Sequence, residues 1–298
     1  MQIPRMDLDG KGTGSPDGLV RKILTLLPGL AAPVPIEDLC KALDIQRIED
    51  FDTDAFEGCL ITDVARSSGV ILAKPGNPFR RRFTIAHELG HFLIPTHMPD
   101  GSGRFLCSRD DMRRFTAKQN DNRIRMEAEA NRFASLILMP PNHLVPRLGR
   151  HPSLSQMCKI ADQFEVSKEA MARAYVQYHD KVLAVVFVKD GKVRYSTKGL
   201  KFPYLNVTTG NAVPHGSAAR RRPGVVGTQS EFLECIPEIW VDLDRAAGKP
   251  AMYEQVFWQR NGFAMVLLWV EDLDLEEDAY EDEDLTARQR YARQLSGE

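Results

Sequence analysis

One segment in the first third of the chain reads Arg80-Arg81-Arg82-Phe83-Thr84-Ile85-Ala86-His87-Glu88-Leu89-Gly90-His91. It contains the pattern His-Glu-x-x-His. Residues four apart share one face of a helix, so His87 and His91 can offer ring nitrogens to one metal ion, and zinc binds such ligands at about 2.0 Å in a tetrahedral arrangement. Glu88 leaves the helix about 100° away from His87, where it can act as a general base. The apolar neighbours predict a buried helix, which favours a metal site over ordinary core histidines.

Two histidines leave a third protein ligand to be found, and His97 is one candidate. It completes the longer pattern His-Glu-x-x-His-x-x-Gly-x-x-His except at the glycine, which is replaced by Ile94. The glycine allows a sharp turn out of the helix, and a β-branched residue resists the backbone conformation that this turn needs. The substitution therefore favours a surface-loop histidine.

Glu127 is the other candidate, in a predicted helix where Asn131 lies one turn later. A carboxylate facing the histidine helix would complete a site of two histidines and one carboxylate, with one coordination position open. Asn131 could then hold the second ring nitrogen of a ligand histidine. Glu129 points to another side and is expected to be solvated. Taken alone, an exposed carboxylate paired with Arg123 or Arg132 would be the commoner role for Glu127.

The two motifs together resemble the ImmA/IrrE family of metallopeptidases. The resemblance lies in Arg82 to His91, in Glu127-x-x-Ala130-Asn131-x-Phe133-Ala134 and in Leu138-Met139-Pro140. It implies a gluzincin-like Zn2+ site with His87, His91 and Glu127 as ligands. It implies that Glu88 is the catalytic base of a zinc-dependent endopeptidase. It also implies a substrate, a cytoplasmic helix-turn-helix transcriptional repressor, whose cleavage relieves repression in a stress response or in mobile-element induction.

Length and composition describe an ordinary globular chain. Its 298 residues suffice for about two domains, and a net charge of −2 gives no overall bias toward nucleic acid or membrane. The five cysteines are scattered without a Cys-x-x-Cys pair, so neither a disulfide framework nor a thiolate zinc site is predicted, and Cys107 is interpreted as an inert thiol. The first residues lack an apolar signal core, and the longest later apolar run, 263–270, is too short to span a bilayer. A cytoplasmic protein without membrane contact is expected.

The order of predicted elements indicates an α+β fold class with five sections. Residues 1–16 are expected to be disordered, and residues 17–150 to form a zincin-like metallopeptidase domain. Residues 151–180 form a helix-turn-helix-like helical segment, residues 181–270 a C-terminal mixed α/β sheet domain with a regulatory or recruiting role, and residues 271–298 an acidic tail.

Within these sections, residues 58–62 and 69–73 have the character of strands, and 69–73 is the candidate edge strand that binds an extended substrate. The arginine-rich stretch 99–125 is interpreted as a solvated loop or helix. Two hairpins are predicted in the C-terminal section. The first joins 182–188 to 193–196, and the second joins 253–258 to 263–270 through Asn261-Gly262.

A second function class stays open: a non-catalytic DNA- or protein-binding regulator in which the zincin core is structural. The second helix of the 151–180 segment offers only Lys168 and Arg173 as cations, with Glu169 against them. Two cations beside a carboxylate can neutralise few phosphates, so direct DNA binding is not expected. Duplex binding with a steep salt dependence would favour the regulator.

Overall fold

The computed structural model describes residues 14–63, 67–99, 101–113, 121–221, 224–242 and 251–271. The disorder expected before residue 14 and the acidic tail expected after residue 271 lie outside these ranges. The chain divides into two compact units. The first is Met1–His143 with Asp162–Ser167, and the second is Leu144–Ala161 with Lys168–Glu298. The separate 151–180 segment and the roles of the five sections stay predictions.

The first unit combines helices with a mixed sheet. Its elements are α1 (Pro16–Leu26), α2 (Ile36–Ala42), β1 (Ile45–Asp50), β2 (Gly58–Thr62), β3 (Gly69–Ala73), α3 (Pro78–Leu93), β4 (Arg104–Cys107) and α4 (Asn122–Leu138). The strand order is β1-β3-β2-β4. The β1 and β3 strands are parallel, whereas β2 is antiparallel to both β3 and β4.

The first helix begins earlier than its apolar pattern indicates. The side chain of Ser15 accepts a hydrogen bond from the backbone N–H of Gly18 at 3.2 Å, and Pro16 occupies the first turn. Serine is a favourable N-cap, and proline at the first turn costs no helical hydrogen bond. Residues 14–16 therefore include the start of α1, which corrects the expectation that they belong to a disordered segment.

The α3 helix, which carries the His-Glu-x-x-His pattern, packs against β2, β3 and α4. The side chain of Asn77 caps its start by accepting from the N–H of Arg80 at 3.1 Å. Gly90 permits the close approach of α4, because a Cβ atom there would lie 3.1 Å from a ring carbon of Phe133 and 3.3 Å from the Cα of Ala130. The buried interface predicted for α3 is present.

One prediction about this unit is wrong and another is incomplete. β3 is an interior strand, paired with β1 on one side and β2 on the other, so 69–73 has no free edge for a substrate. The stretch 99–125 contains β4, which lies next to β2. The residues of β4 alternate, with Phe105 and Cys107 buried and Arg104 and Leu106 exposed. Four residues among many arginines are too short a pattern to stand out.

The second unit is built on an antiparallel sheet. Its elements are α7 (Lys168–Tyr178), β5 (Val182–Lys189), β6 (Lys192–Lys198), α8 (Ala218–Arg221), β7 (Leu233–Cys235), β8 (Ala251–Trp258) and β9 (Phe263–Glu271), while α5 (Pro141–Leu144) and α6 (Leu154–Phe164) cross the boundary between the units. The strand order is β6-β5-β9-β8-β7. The helices α6 and α7 are the pair expected in 151–180.

Both predicted hairpins are confirmed. The turn between β5 and β6 contains Asp190 and Gly191 at φ values of 51° and 71°, and the turn between β8 and β9 contains Asn261 and Gly262 at 57° and 72°. Two consecutive positive φ values are typical of the type I′ turn that suits tight hairpins. In the described ranges, no helix has both the length and the apolar character that crossing a bilayer requires.

Candidate metal centre

Three donor atoms converge between α3 and α4. The Nε2 atoms of His87 and His91 lie 3.1 Å apart, and Glu127 Oε2 lies 3.2 Å from the first and 3.6 Å from the second. Donors bound tetrahedrally to one zinc ion at about 2.0–2.1 Å lie about 3.3 to 3.4 Å from one another. All three side chains are buried. The triangle therefore has the size that a shared metal ion needs, while the roles of these residues as ligands stay predictions.

The hydrogen bonds around His87 leave Nε2 as the free lone pair of its neutral ring. The Nδ2 group of Asn131 donates to the backbone carbonyl of Asp111 at 2.8 Å, so Asn131 Oδ1 faces His87. This oxygen lies 2.9 Å from His87 Nδ1, which must then carry the proton. Asn131 thus makes the contact expected of a residue that orients a ligand histidine.

A second chain of contacts orients His91. Its Nδ1 lies 3.0 Å from His97 Nδ1, and His97 Nε2 lies 3.0 Å from the carboxylate of Glu129. Because the carboxylate accepts, a neutral His97 carries its proton on Nε2, and His91 donates from Nδ1 and keeps Nε2 for the site. The ring of Phe105 on β4 stacks on His91, with centroids 4.7 Å apart.

His97 is therefore buried, not the surface-loop histidine that the sequence indicated. Its ring nitrogens face His91 and Glu129 rather than the donor triangle. Glu129 differs in the same way from the solvated role expected of it, because its side chain is only 28% exposed, accepts a hydrogen bond from His97 and forms an ion pair with Arg125. The local sequence does not show this position, because it depends on the turn after α3 that folds His97 back beside His91.

Glu88 lies buried beside the triangle, and the thiol of Cys107 is the side chain that faces its carboxyl group. Among the described residues, no group donates a hydrogen bond of good geometry to either oxygen of Glu88 or to Glu127 Oε2. Space for Glu88 comes from Gly58 on β2, where a Cβ atom would lie 2.3 Å from Glu88 Oε1. Buried acceptors without donors are rare in folded proteins. Together with the convergent histidine nitrogens, they fit a site for a cation and a water molecule.

In the site without metal, the carboxyl groups of Glu88 and Glu127 have pKa values shifted in opposite directions. Burial raises the pKa of Glu88 to about 8, an effect that the imidazole of His87 and the thiol of Cys107 partly oppose. Burial would also raise the pKa of Glu127, but its close contacts with the imidazoles of His87 and His91 hold this pKa well below the usual range. For His87, burial lowers the pKa, and the contacts with Glu127 and Glu88 outweigh this and leave it raised. One carboxylate is thus an anion and the other a proton carrier.

This raised pKa predicts how the stability of the metal-free protein depends on pH. The carboxyl of Glu88 titrates at about 8 in the fold against 4.5 ordinarily, so the folded state holds its proton more tightly. Its contribution to stability is present below pH 4.5 and is lost as the pH rises through about 8. We expect the free energy of unfolding of wild type to fall over this range relative to that of E88Q. Urea unfolding followed by circular dichroism in a chelator measures it.

The exposed carboxylate Glu49 provides a control for this measurement. The E49Q variant removes a half-exposed carboxylate on β1, so its free energy of unfolding should run parallel to that of wild type between the same pH values. A wild-type curve parallel to that of E88Q would show that burial does not hold a proton on Glu88.

Sequence reasoning missed Cys107 as a member of this site. One donor atom each from His87, His91, Cys107 and Glu127 lie within 4.8 Å of one another. Cys107 is the last residue of β4, and its backbone carbonyl accepts from the N–H of Glu57 at 3.0 Å. The alternation of β4 was the available signal, since Phe105 and Cys107 share its inward face.

Comparison with known proteins agrees with the two motifs. Residues 60–175 match the family model described as the IrrE N-terminal-like domain, Peptidase_M78. The solved structure of a Mycobacterium tuberculosis transcriptional regulator resembles the chain with a TM-score of 0.45 and 13% sequence identity, over 85% of this chain and 71% of that chain. A search of curated proteins gave no significant match. The family match confirms the resemblance to the ImmA/IrrE metallopeptidases.

Proposed function

Because residues 60–175 form an IrrE N-terminal-like domain of the Peptidase_M78 family, we propose that this protein is a zinc-dependent endopeptidase. His87, His91 and Glu127 hold the zinc ion, and Glu88 is the catalytic base. The observation that carries the proposal is the buried triangle of donor atoms, with edges of 3.1, 3.2 and 3.6 Å, beside a carboxylate that has no hydrogen-bond donor of good geometry among the described residues.

The donor set suits zinc better than other common ions. Two imidazoles and one carboxylate are typical of catalytic zinc sites, whereas calcium and magnesium bind mainly oxygen. The neutral tautomers set by Asn131 and by His97 direct both Nε2 lone pairs at the same point. The carboxylate of Glu127 supplies one negative charge, which offsets part of the charge of a divalent ion.

The catalytic task of the chain itself falls on Glu88. Bound zinc supplies a Lewis acid, which polarises a peptide carbonyl and acidifies water. Glu88 takes a proton from the attacking water and later delivers it to the amine that leaves, and a pKa displaced upward toward neutrality suits both transfers. Gly58 keeps room for this carboxylate, because any side chain there would collide with it.

The edge strand β4 replaces 69–73 as the proposed substrate-binding strand. It pairs with β2 on one side, and no strand of the described ranges covers its other side. An extended peptide can add to such an edge through backbone hydrogen bonds. Since β4 ends at Cys107, within the donor cluster, a peptide bound along it would lie next to Glu88 and the metal ligands.

As substrate we propose a cytoplasmic helix-turn-helix repressor, cut so that its genes are expressed in a stress response or on induction of a mobile element. The family of the domain and the resemblance of the two motifs support this class. The C-terminal unit would recruit the substrate or regulate the cut, and the site of action would be the cytoplasm.

New protein N-termini test this proposal. The wild type and the E88Q variant are expressed in the host cell, and N-terminal peptides are labelled and identified by mass spectrometry. We expect new N-termini within helix-turn-helix repressors for wild type only. Cleavage confined to other proteins would overturn the substrate class, and equal cleavage by E88Q would overturn the mechanism.

Asn131 provides a prediction about metal affinity. The N131A variant removes the acceptor for His87 Nδ1, so the ring is no longer held in the tautomer and orientation that bind zinc. We expect zinc affinity to fall about 10- to 100-fold. Competition with a chromophoric chelator measures the dissociation constant. S135A, one turn later on α4 and half-buried, is the matched control and should bind as wild type does. An unchanged N131A variant would make Asn131 an ordinary core residue.

A further inference from the structure

We propose that Cys107 is a fourth metal ligand in the resting protein, so that its thiolate occupies the position that a substrate or water would otherwise take. The inference rests on the proposed function, since it concerns the same metal. It gives the site a closed state with two histidines, one carboxylate and one thiolate. Cleavage then requires the thiolate to leave the metal.

The placement of Cys107 supports this state. Its sulfur belongs to the group of four donor atoms within 4.8 Å of one another, and its side chain is fully buried. The backbone of Cys107 is held against β2, because Cys107 pairs in register with Gly58 and its carbonyl accepts from the N–H of Glu57. The sulfur can therefore move by rotation about the Cα–Cβ bond while the strand stays in place.

The distances require only a small adjustment. Zinc binds thiolate at about 2.3 Å and imidazole at about 2.0 Å, so sulfur and nitrogen in a tetrahedral site lie about 3.5 Å apart. A donor cluster no wider than 4.8 Å closes to this size with a shift on the order of 1 Å. Rotation of one short side chain provides that shift.

Charge and chemistry favour the same arrangement. Buried anions are costly unless they are compensated, and a divalent ion with the carboxylate of Glu127 and the thiolate of Cys107 forms a neutral group. The oxygens of Glu88 and Glu127 Oε2 are buried in the same place, and no described group donates a hydrogen bond of good geometry to them, which also fits a cation site. Zinc accepts mixed sulfur, nitrogen and oxygen ligands and is tetrahedral when all four positions are filled. In the closed state, protein atoms alone therefore fill all four coordination positions of the ion.

Cobalt substitution tests the inference on the full chain. Cobalt(II) replaces zinc, and a thiolate ligand gives a charge-transfer band in the near ultraviolet, whereas tetrahedral cobalt of any ligand set gives visible bands. We expect both features in wild type, loss of the ultraviolet band alone in C107S, and retention of both in C59S. Cys59 is a matched control because it is a buried cysteine on the neighbouring strand β2 and does not belong to the donor cluster.

The outcomes separate this inference from the proposed function. Visible bands without a charge-transfer band in wild type would overturn the role of Cys107 and leave the peptidase proposal in place. No cobalt or zinc binding at all would overturn both. X-ray absorption of zinc-loaded wild type provides a measurement that needs no variant, with one sulfur expected at about 2.3 Å. At saturating zinc, C107S should also cleave a peptide faster than wild type, and an unchanged rate would contradict the closed state.

Discussion

The E88Q variant is expected to lose peptide cleavage and keep its zinc. Glutamine has the shape of glutamate but cannot accept the proton of the attacking water, so the rate should fall by at least about 10²- to 10⁴-fold. Glu88 is not one of the three converging donors, and its oxygens have no donor of good geometry in the described structure, so few contacts are lost. Cleavage assays at saturating zinc, with the metal content determined by atomic emission, measure both quantities.

Two comparisons make this result decisive. E49Q removes a half-exposed carboxylate on β1 of the same unit and should retain full activity and full metal content. Full activity in E88Q would refute the assigned base. Loss of zinc together with activity would place Glu88 among the metal ligands instead.

Replacing Glu127 with alanine is expected to abolish zinc binding at micromolar metal. The change removes one of three converging donors and the anion that faces both histidines. Because residues that only orient ligands change affinity about 10- to 100-fold, loss of a ligand should exceed about 100-fold. Dialysis against a zinc buffer, followed by metal analysis, measures the stoichiometry of Glu127→Ala.

His97→Ala is the informative partner of this variant. His97 contacts His91 through Nδ1 and Glu129 through Nε2, so its loss should weaken zinc binding only about 10- to 100-fold. The alternative that the sequence left open predicts the reverse order. If His97→Ala loses zinc and Glu127→Ala retains it, His97 is the third ligand and the triangle is not the site.

The helix that carries His87, Glu88 and His91 could be predicted because its information is local. A spacing of four puts two histidines on one face, and apolar neighbours indicate a buried helix. The hairpins of the second unit could be predicted for the same reason, since Asn261-Gly262 matches the backbone that a tight turn demands.

The strand order could not be predicted in this way. The β3 strand has the pattern of any half-buried strand. It is interior because β1 pairs with it, and β1 is polar, while the strand at the edge is β4, which has only four residues. Pairing between strands distant in sequence follows from tertiary packing rather than from the composition of each strand. The predicted substrate edge was therefore assigned to the wrong strand.

The sequence by itself determined the helix with its two histidines and its glutamate, the second helix with Glu127 and Asn131, and the resemblance of these motifs to the ImmA/IrrE family. Only the tertiary structure decided that His97 turns inward against His91, that Glu129 supports it, and that Cys107 joins the donor cluster from β4. The physical reason is the separation in sequence of the residues that contact one another. Helical periodicity acts over four residues, whereas the contacts of Cys107 depend on a strand pairing with β2, more than 40 positions earlier in the chain.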